Sequence, residues 1–233
     1  MAVFRFKQFC VSNTLSAMKV NTDGVLLGAA MTIPGDASLM LDIGTGTGTI
    51  ALMAAQRHPE AVIHAIDIDE ASAREATQNF SESPWSGRLS AFHTALADFN
   101  PECRYSHIFS NPPYYDNSLT NPDERKAEAR HSLNLSYSHI LAFAAERLTP
   151  EGTLSLILPA DTEKMLLRQA GGFGLFPFRL LRIRTTPRKK PSRLIAEFSF
   201  KKTVPAEELL TIQESGKYTR EYISLTNDFY TDS

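Results

Sequence analysis

Five apolar runs alternate with helical segments over residues 39–169. A glycine-rich turn joins the first run to its helix, and two strand-like runs then follow with no helix between them. Together these features predict an α/β fold: a Rossmann-like, mostly parallel sheet of seven strands ending in an antiparallel hairpin, with helices on both faces. The chain of 233 residues is long enough for one such domain. It is expected to comprise an N-terminal extension (1–38), a core (39–203) and a C-terminal segment (204–233) that packs back on the core.

The opening Phe4-Arg5-Phe6-Lys7-Gln8-Phe9 alternates apolar and polar residues, the period of a short strand with one covered face. Val25–Met31 reads as a helix that Thr22 or Asp23 caps and Pro34-Gly35-Asp36 closes. Leu39–Ile43 is the first buried strand, interrupted only by Asp42, and it feeds straight into Gly44-Thr45-Gly46-Thr47-Gly48-Thr49 and a helix from Ile50. Strand, glycine loop, helix is the order of nucleotide sites, because glycine admits a close ligand and a helix N-terminus offers unbonded amides. Thr49 stands where a dinucleotide fingerprint has a third Gly or Ala, which favours S-adenosylmethionine over NAD.

Ala61–Asp67 is the second strand. Asp67 follows the glycines by about 20 residues, the position that hydrogen-bonds ribose hydroxyls, and Asp69 reads as the cap of a helix reaching Phe80. After a third strand near Leu89–Thr94, Asp98 is either an acceptor for an adenine amino group, with Phe99 over the ring, or an ordinary loop acid. The fourth strand, Tyr105–Ser110, delivers Asn111-Pro112-Pro113-Tyr114 to the same carboxyl edge as Gly44–Gly48, Asp67 and Asp98.

Two consecutive prolines forbid helix and ladder pairing, so an amide, a carbonyl and an aromatic ring are held in fixed relation. That platform suits methyl transfer to a planar, weakly nucleophilic amino group. Asn111 and the Pro112 carbonyl would accept the amino hydrogens and Tyr114 would stack on the plane. A bare turn is the simpler reading of the tetrapeptide, and the convergence of four strand-end elements argues against it.

Residues 115–135 form a long polar segment in which Arg130 and His131 are candidates for phosphate or base contacts, or solvated charges. A helix over Ser138–Leu148, a strand over Thr153–Leu158 and a helix over Thr162–Gln169 follow. The strands Phe178–Arg184 and Arg193–Lys202 flank a basic loop. Arg179, Arg182, Arg184, Arg188, Lys189, Lys190 and Arg193 in one hairpin read as a phosphate-binding surface or as gatekeeper charges on a solvated edge.

The net charge of −2 excludes a uniformly basic nucleic-acid coat but not a local patch. Cys10 and Cys103 have no metal-ligand spacing, so no metal and no disulfide framework are expected. No run is long enough to span a bilayer and Met1–Lys7 is not a secretory signal, so the expectation is a cytoplasmic protein, monomeric and away from membranes.

With these residues in view, the chain resembles the class I S-adenosylmethionine-dependent methyltransferases that carry Asn-Pro-Pro-Tyr. More narrowly, it resembles the bacterial tRNA(Val) adenine N6-methyltransferases acting at tRNA position 37. The likeness rests on Phe6–Phe9, Lys19-Val20 with Thr22-Asp23-Gly24, Leu41–Gly48, Asn111–Tyr114, Ala129-Arg130-His131 and the stretch from Tyr218-Thr219 to Phe229-Tyr230. The resemblance implies S-adenosyl-L-methionine as cofactor and tRNA as partner. It implies Gly44, Gly46, Gly48, Asp67 and Asp98 around the cofactor and Thr22 and Asp23 near its methionine end, with Asp42 and Phe99 as further cofactor candidates. Asn111, Pro112 and Tyr114 would present the adenine; the charge pattern, not the resemblance, makes Arg130, His131, Arg184, Arg188, Lys189, Lys190 and Arg193 the candidates for RNA contact. Asn-Pro-Pro-Tyr also occurs in protein glutamine N5-methyltransferases, which need the same hydrogen bonding. An NAD-dependent oxidoreductase would leave Asn111–Tyr114 unexplained, and a non-catalytic RNA-binding module would tolerate loss of Asn111.

Overall fold

The computed structural model describes residues 3–16, 19–113 and 135–230. The N-terminal run is not one strand. β1 (Val3–Arg5) and β2 (Cys10–Ser12) pair antiparallel around a turn in which the Phe6 and Phe9 rings stack, centroids 4.5 Å apart. Turning at Phe6 buries both rings, which a straight strand of alternating pattern would place on one open face.

The parallel strands are β3 (Leu39–Ile43), β4 (Val62–Asp67), β5 (Leu89–His93), β6 (Tyr105–Ser110) and β7 (Leu148–Pro159). They continue into β8 (Phe176–Arg184), β9 (Arg193–Ser199) and β10 (Ala206–Thr211), in the order β10-β8-β9-β7-β6-β3-β4-β5. Only β9 runs against its neighbours. The sheet therefore has eight strands among the described residues, not seven, because β10 pairs in parallel with β8 along its outer edge.

Helices cover both faces. α1 (Thr22–Ala30), α2 (Thr49–Arg57) and α3 (Glu70–Ser81) share one apolar core with Met40 and Ile63. α4 (Tyr137–Arg147) and α5 (Glu163–Gly172) share the other with Leu41 and Ile43. The strand period of two explains why Met40 and Leu41 serve different cores. Gly28 is where α1 and α2 touch: a Cβ there would lie 2.6 Å from Met53 Sδ. A short hairpin, β11 (Gln213–Glu214) with β12 (Lys217–Tyr218), and α6 (Arg220–Thr226) end the described chain. Phe6 and Tyr230 form an isolated bridge, joining its two ends. Cys10 and Cys103 are both free, and no described helix is long and apolar enough to cross a membrane.

One buried charge ties five elements together. Glu197 of β9 is fully buried, and it accepts from Thr32 N (2.6 Å), Thr32 Oγ1 (2.9 Å), Ser155 Oγ of β7 (2.7 Å) and Arg179 Nη1 of β8 (2.9 Å). Arg179 also donates to Ala30 O of α1 and pairs with Glu208 of β10. Removing one member of a buried pair strands the other, so Arg179→Ala is expected to lower unfolding free energy by about 3 kcal/mol. Glu208→Ala, on the exposed side, is expected to cost no more than about 1 kcal/mol. Urea unfolding of both variants checks this, and equal losses would contradict it.

Candidate active site

The loop after β3 is shaped by glycines. Gly44, Gly46 and Gly48 all have positive φ (72°, 56° and 80°). Gly48 is the N-cap of α2 and supplies no side-chain cap, so the first amides of the helix have no side-chain acceptor from that position. A Cβ on Gly48 would lie 2.5 Å from Phe80 Cε1, so no other residue fits there. Gly44 and Thr45 donate to Ile66 O, and Gly46 N donates to Asp67 Oδ2 at 2.8 Å. Asp69 N donates to the other Asp67 oxygen at 2.9 Å, so Asp67 braces the loop from the end of β4. Burial raises its pKa, against the pull of the Asp69 and Gly46 amides.

Asp42 lies beneath this loop, fully buried. Thr45 Oγ1 donates to its Oδ2 at 2.8 Å, while Oδ1 has no hydrogen bond of normal geometry. Burial pushes the carboxyl up to about 7; the Thr45 hydroxyl opposes this and the nearby Asp67 charge adds to it.

The platform after β6 sits beside the loop because β3 and β6 pair with Ile43 opposite Ser110. Ser110 Oγ donates to Ile43 O at 2.7 Å. Asn111, 6% exposed, therefore emerges next to Gly44, and one cleft is lined by Lys19, Asn21, Gly24, Gly44–Thr47 and Asn111. Thr22 and Asp23 line a second cleft on the other side of the same helical turn. Neither caps α1: Asn21 does, accepting from Gly24 N at 2.8 Å. Asp69 caps α3 as expected from its position. Asp98 is exposed in a turn beyond β5, with Phe99 between the rings of Phe92 and Phe143. Tyr114, Arg130 and His131 lie outside the described residues.

The basic hairpin divides into two sets. Arg179 pairs with Glu197 and Glu208, Arg182 with Glu163 and Glu207, and Arg193 with Asp23, so these three belong to the scaffold. Arg184 is bonded to Thr211 Oγ1 and Pro187 O. Arg188, Lys189 and Lys190 are exposed at the loop tip and form no ion pair among the described residues. No described group of three His, Cys, Asp or Glu side chains could hold a metal.

Residues 12–169 match the family model described as a methyltransferase small domain. A Bacteroides fragilis protein named tRNA1(Val) (adenine(37)-N6)-methyltransferase is 42% identical, with 97% of each chain covered. The Vibrio parahaemolyticus protein of the same name is 39% identical over 97% of this chain and 95% of its own. The chain belongs to the tRNA1(Val) (adenine(37)-N6)-methyltransferase family. Among solved structures, a predicted O-methyltransferase from Agrobacterium tumefaciens has the same fold, with a TM-score of 0.66 at 18% identity, covering 89% of this chain and 96% of its own. A methyltransferase from Pyrococcus furiosus scores 0.59 at 19% identity, covering 82% and 89%.

For this family member, sequence reasoning missed Asn21 as cap and cleft wall, and missed Glu75 and Asn79. Glu75 accepts three successive backbone amides, those of Thr14, Leu15 and Ser16. Asn79 Nδ2 donates to Thr47 O and Ser12 O. Both are polar residues on the buried side of α3, and that placement was the available signal.

The folded Asp42 value near 7 exceeds the unfolded value of about 3.9, so the folded state binds a proton the unfolded state lacks between them. Its stabilising effect is complete below about pH 4 and is lost as pH rises through about 7. The stability of the wild type relative to Asp42→Asn is expected to fall over that window and then level off. Urea midpoints at stepped pH check it, and a relative stability that rises toward neutral pH would contradict it.

Proposed function

We propose that this protein methylates the exocyclic N6 amino group of adenine 37 in tRNA1(Val), in the cytoplasm, using S-adenosyl-L-methionine. The observation that carries the reading is Asn111 in the wall of the glycine-loop cleft, on a chain 39–42% identical over 97% of its length to proteins named for that reaction.

The groups that line and back the cleft suit the cofactor. Backbone of the Gly44–Thr47 turn, the side-chain-uncapped start of α2 and the half-buried Asp67 carboxylate behind the turn give close-approach surface, donors and an acceptor. When bound, S-adenosyl-L-methionine supplies an electrophilic methyl group on a sulfonium. Gly44, Gly46 and Gly48 would line its path, Asp67 would face the ribose, and Asp98 with Phe99 the adenine. The chain's own task is to orient the nucleophile. Asn111 Oδ1 and the Pro112 carbonyl would accept the two amino hydrogens, which localises the nitrogen lone pair and turns it toward the cleft. Tyr114 would stack on the base. An anticodon-loop adenine is unpaired, so bringing it here avoids the cost of opening a duplex. Arg188, Lys189 and Lys190 would hold phosphates as point charges. A protein glutamine substrate is not favoured, because the relatives that match nearly the whole chain are named for tRNA.

Incubation with S-adenosylmethionine and unmodified tRNA transcripts, followed by digestion and mass spectrometry, is expected to yield N6-methyladenosine. Asn111→Ala is expected to lower turnover by at least about a hundredfold, the scale for loss of one preorganised transition-state contact, with cofactor affinity within a few-fold. Product from Asn111→Ala at the wild-type rate would overturn the role of the amide, and no product on any tRNA would overturn the substrate.

A further inference from the structure

The second cleft, of about 330 Å³, is in the size range of small-ligand sites. Its wall is built by the start of α1 (Thr22, Asp23), the ends of the basic hairpin (Thr185, Arg193), Gln213 and Tyr218. It abuts the glycine-loop cleft through the turn Asn21–Gly24, of which Asn21 and Gly24 line the glycine-loop cleft and Thr22 and Asp23 line this one. Both clefts open at the carboxyl edge of the sheet, where β8 and β10 end and β9 begins.

Tyr218 is the unusual member. It is 55% exposed, yet its ring stacks on Tyr222 with centroids 4.9 Å apart and planes at 29°. The backbone around it is pinned. Ser215 and Gly216, at φ 51° and 77°, make the tight turn of the β11–β12 hairpin, and Thr219 donates to Ile212 O and to Thr211 O. A rigid aromatic face is thus held out to solvent in the same cleft as Thr185, Ser192 and Arg193, the two ends of the loop whose exposed tip carries Arg188, Lys189 and Lys190.

We propose that this cleft is a subsite for an unpaired nucleotide of the substrate RNA, its base stacked on Tyr218 and its flanking phosphates on Arg188, Lys189 and Lys190. The assignment rests on the tRNA reading above and adds where a nucleotide other than the methylated one is gripped. An aromatic platform in one cleft with the ends of a loop whose tip cations form no ion pair among the described residues is the combination that single-stranded nucleic acid requires, since every base has a face to stack and every phosphate a charge to neutralise. Arg193 and Asp23 neutralise each other within the wall and leave the phosphate contacts to the loop tip.

The test uses the full chain and an anticodon stem-loop RNA with an unpaired adenine. The sequence has one tryptophan, Trp85, packed edge-on against Phe9, so Tyr218→Trp adds a second reporter at the cleft and the wild type gives the background. The stem-loop is expected to quench the new indole, and a fully paired duplex of equal length to quench it far less. Tyr218→Ala is expected to raise KM for tRNA about tenfold, the cost of one lost stack, with a smaller change in kcat and unaltered cofactor affinity, while Tyr218→Phe stays near wild type. Replacing Arg188, Lys189 and Lys190 by alanine is expected to flatten the salt dependence of stem-loop binding. No quench at saturating stem-loop, or equal quench by duplex, would overturn the subsite even if the wild type makes N6-methyladenosine. Quench without methylation would retain the subsite and reject the reaction.

Discussion

The site depends on the pairing of β3 with β6. Ile43 lies opposite Ser110, and the Ser110 hydroxyl donates to the Ile43 carbonyl at the last residue of the strand. One step beyond that pair the two chains diverge, one into Gly44 and the other into Asn111. A slip of one residue would turn Asn111 to the opposite face and break the cleft. Parallel topology puts every such strand end on one edge, and the buried central strands leave the register no freedom. A single ladder thereby brings the Gly44–Thr47 turn and Asn111 to the wall of one cleft.

The remaining walls are hung from α3. Asn79 holds Ser12 and Thr47, so the N-terminal strand and the glycine loop share one anchor. Glu75 gathers the amides of residues 14–16. Burial raises its pKa, but the bonds from Leu15, Ser16 and Thr14 outweigh that and hold it below the usual carboxylate range. This segment leads toward Lys19 and Asn21, which form the far wall of the cleft. On the opposite side, Glu197 and its partners fix the end of α1 against β7, β8 and β9, so the turn shared by the two clefts is carried on a helix restrained at its other end.

Much of this was readable from residue patterns. Leu39–Ile43, Ala61–Asp67 and Tyr105–Ser110 are short apolar runs, and their strand ends carried the glycines, Asp67 and Asn111. β10 was hidden because Ala206-Glu207-Glu208 is a polar, exposed edge with almost no buried alternation. Arginine counts alone overstated the basic hairpin. The acids that neutralise Arg179, Arg182 and Arg193 are Glu163, Glu197, Glu207, Glu208 and Asp23, which neighbour them only after folding. The cap of α1 went to Asn21 rather than Thr22 or Asp23 because the helix starts at Thr22, three residues before the apolar run at Val25, and cap preference does not separate adjacent polar residues.

The most direct test of the central claim is a crystal structure with S-adenosylhomocysteine bound. The account predicts the ligand between the Lys19–Gly24 segment and the Gly44–Thr47 turn, with its ribose toward Asp67 and its sulfur facing Asn111. A ligand seated elsewhere, or one whose sulfur faces away from Asn111, would contradict it.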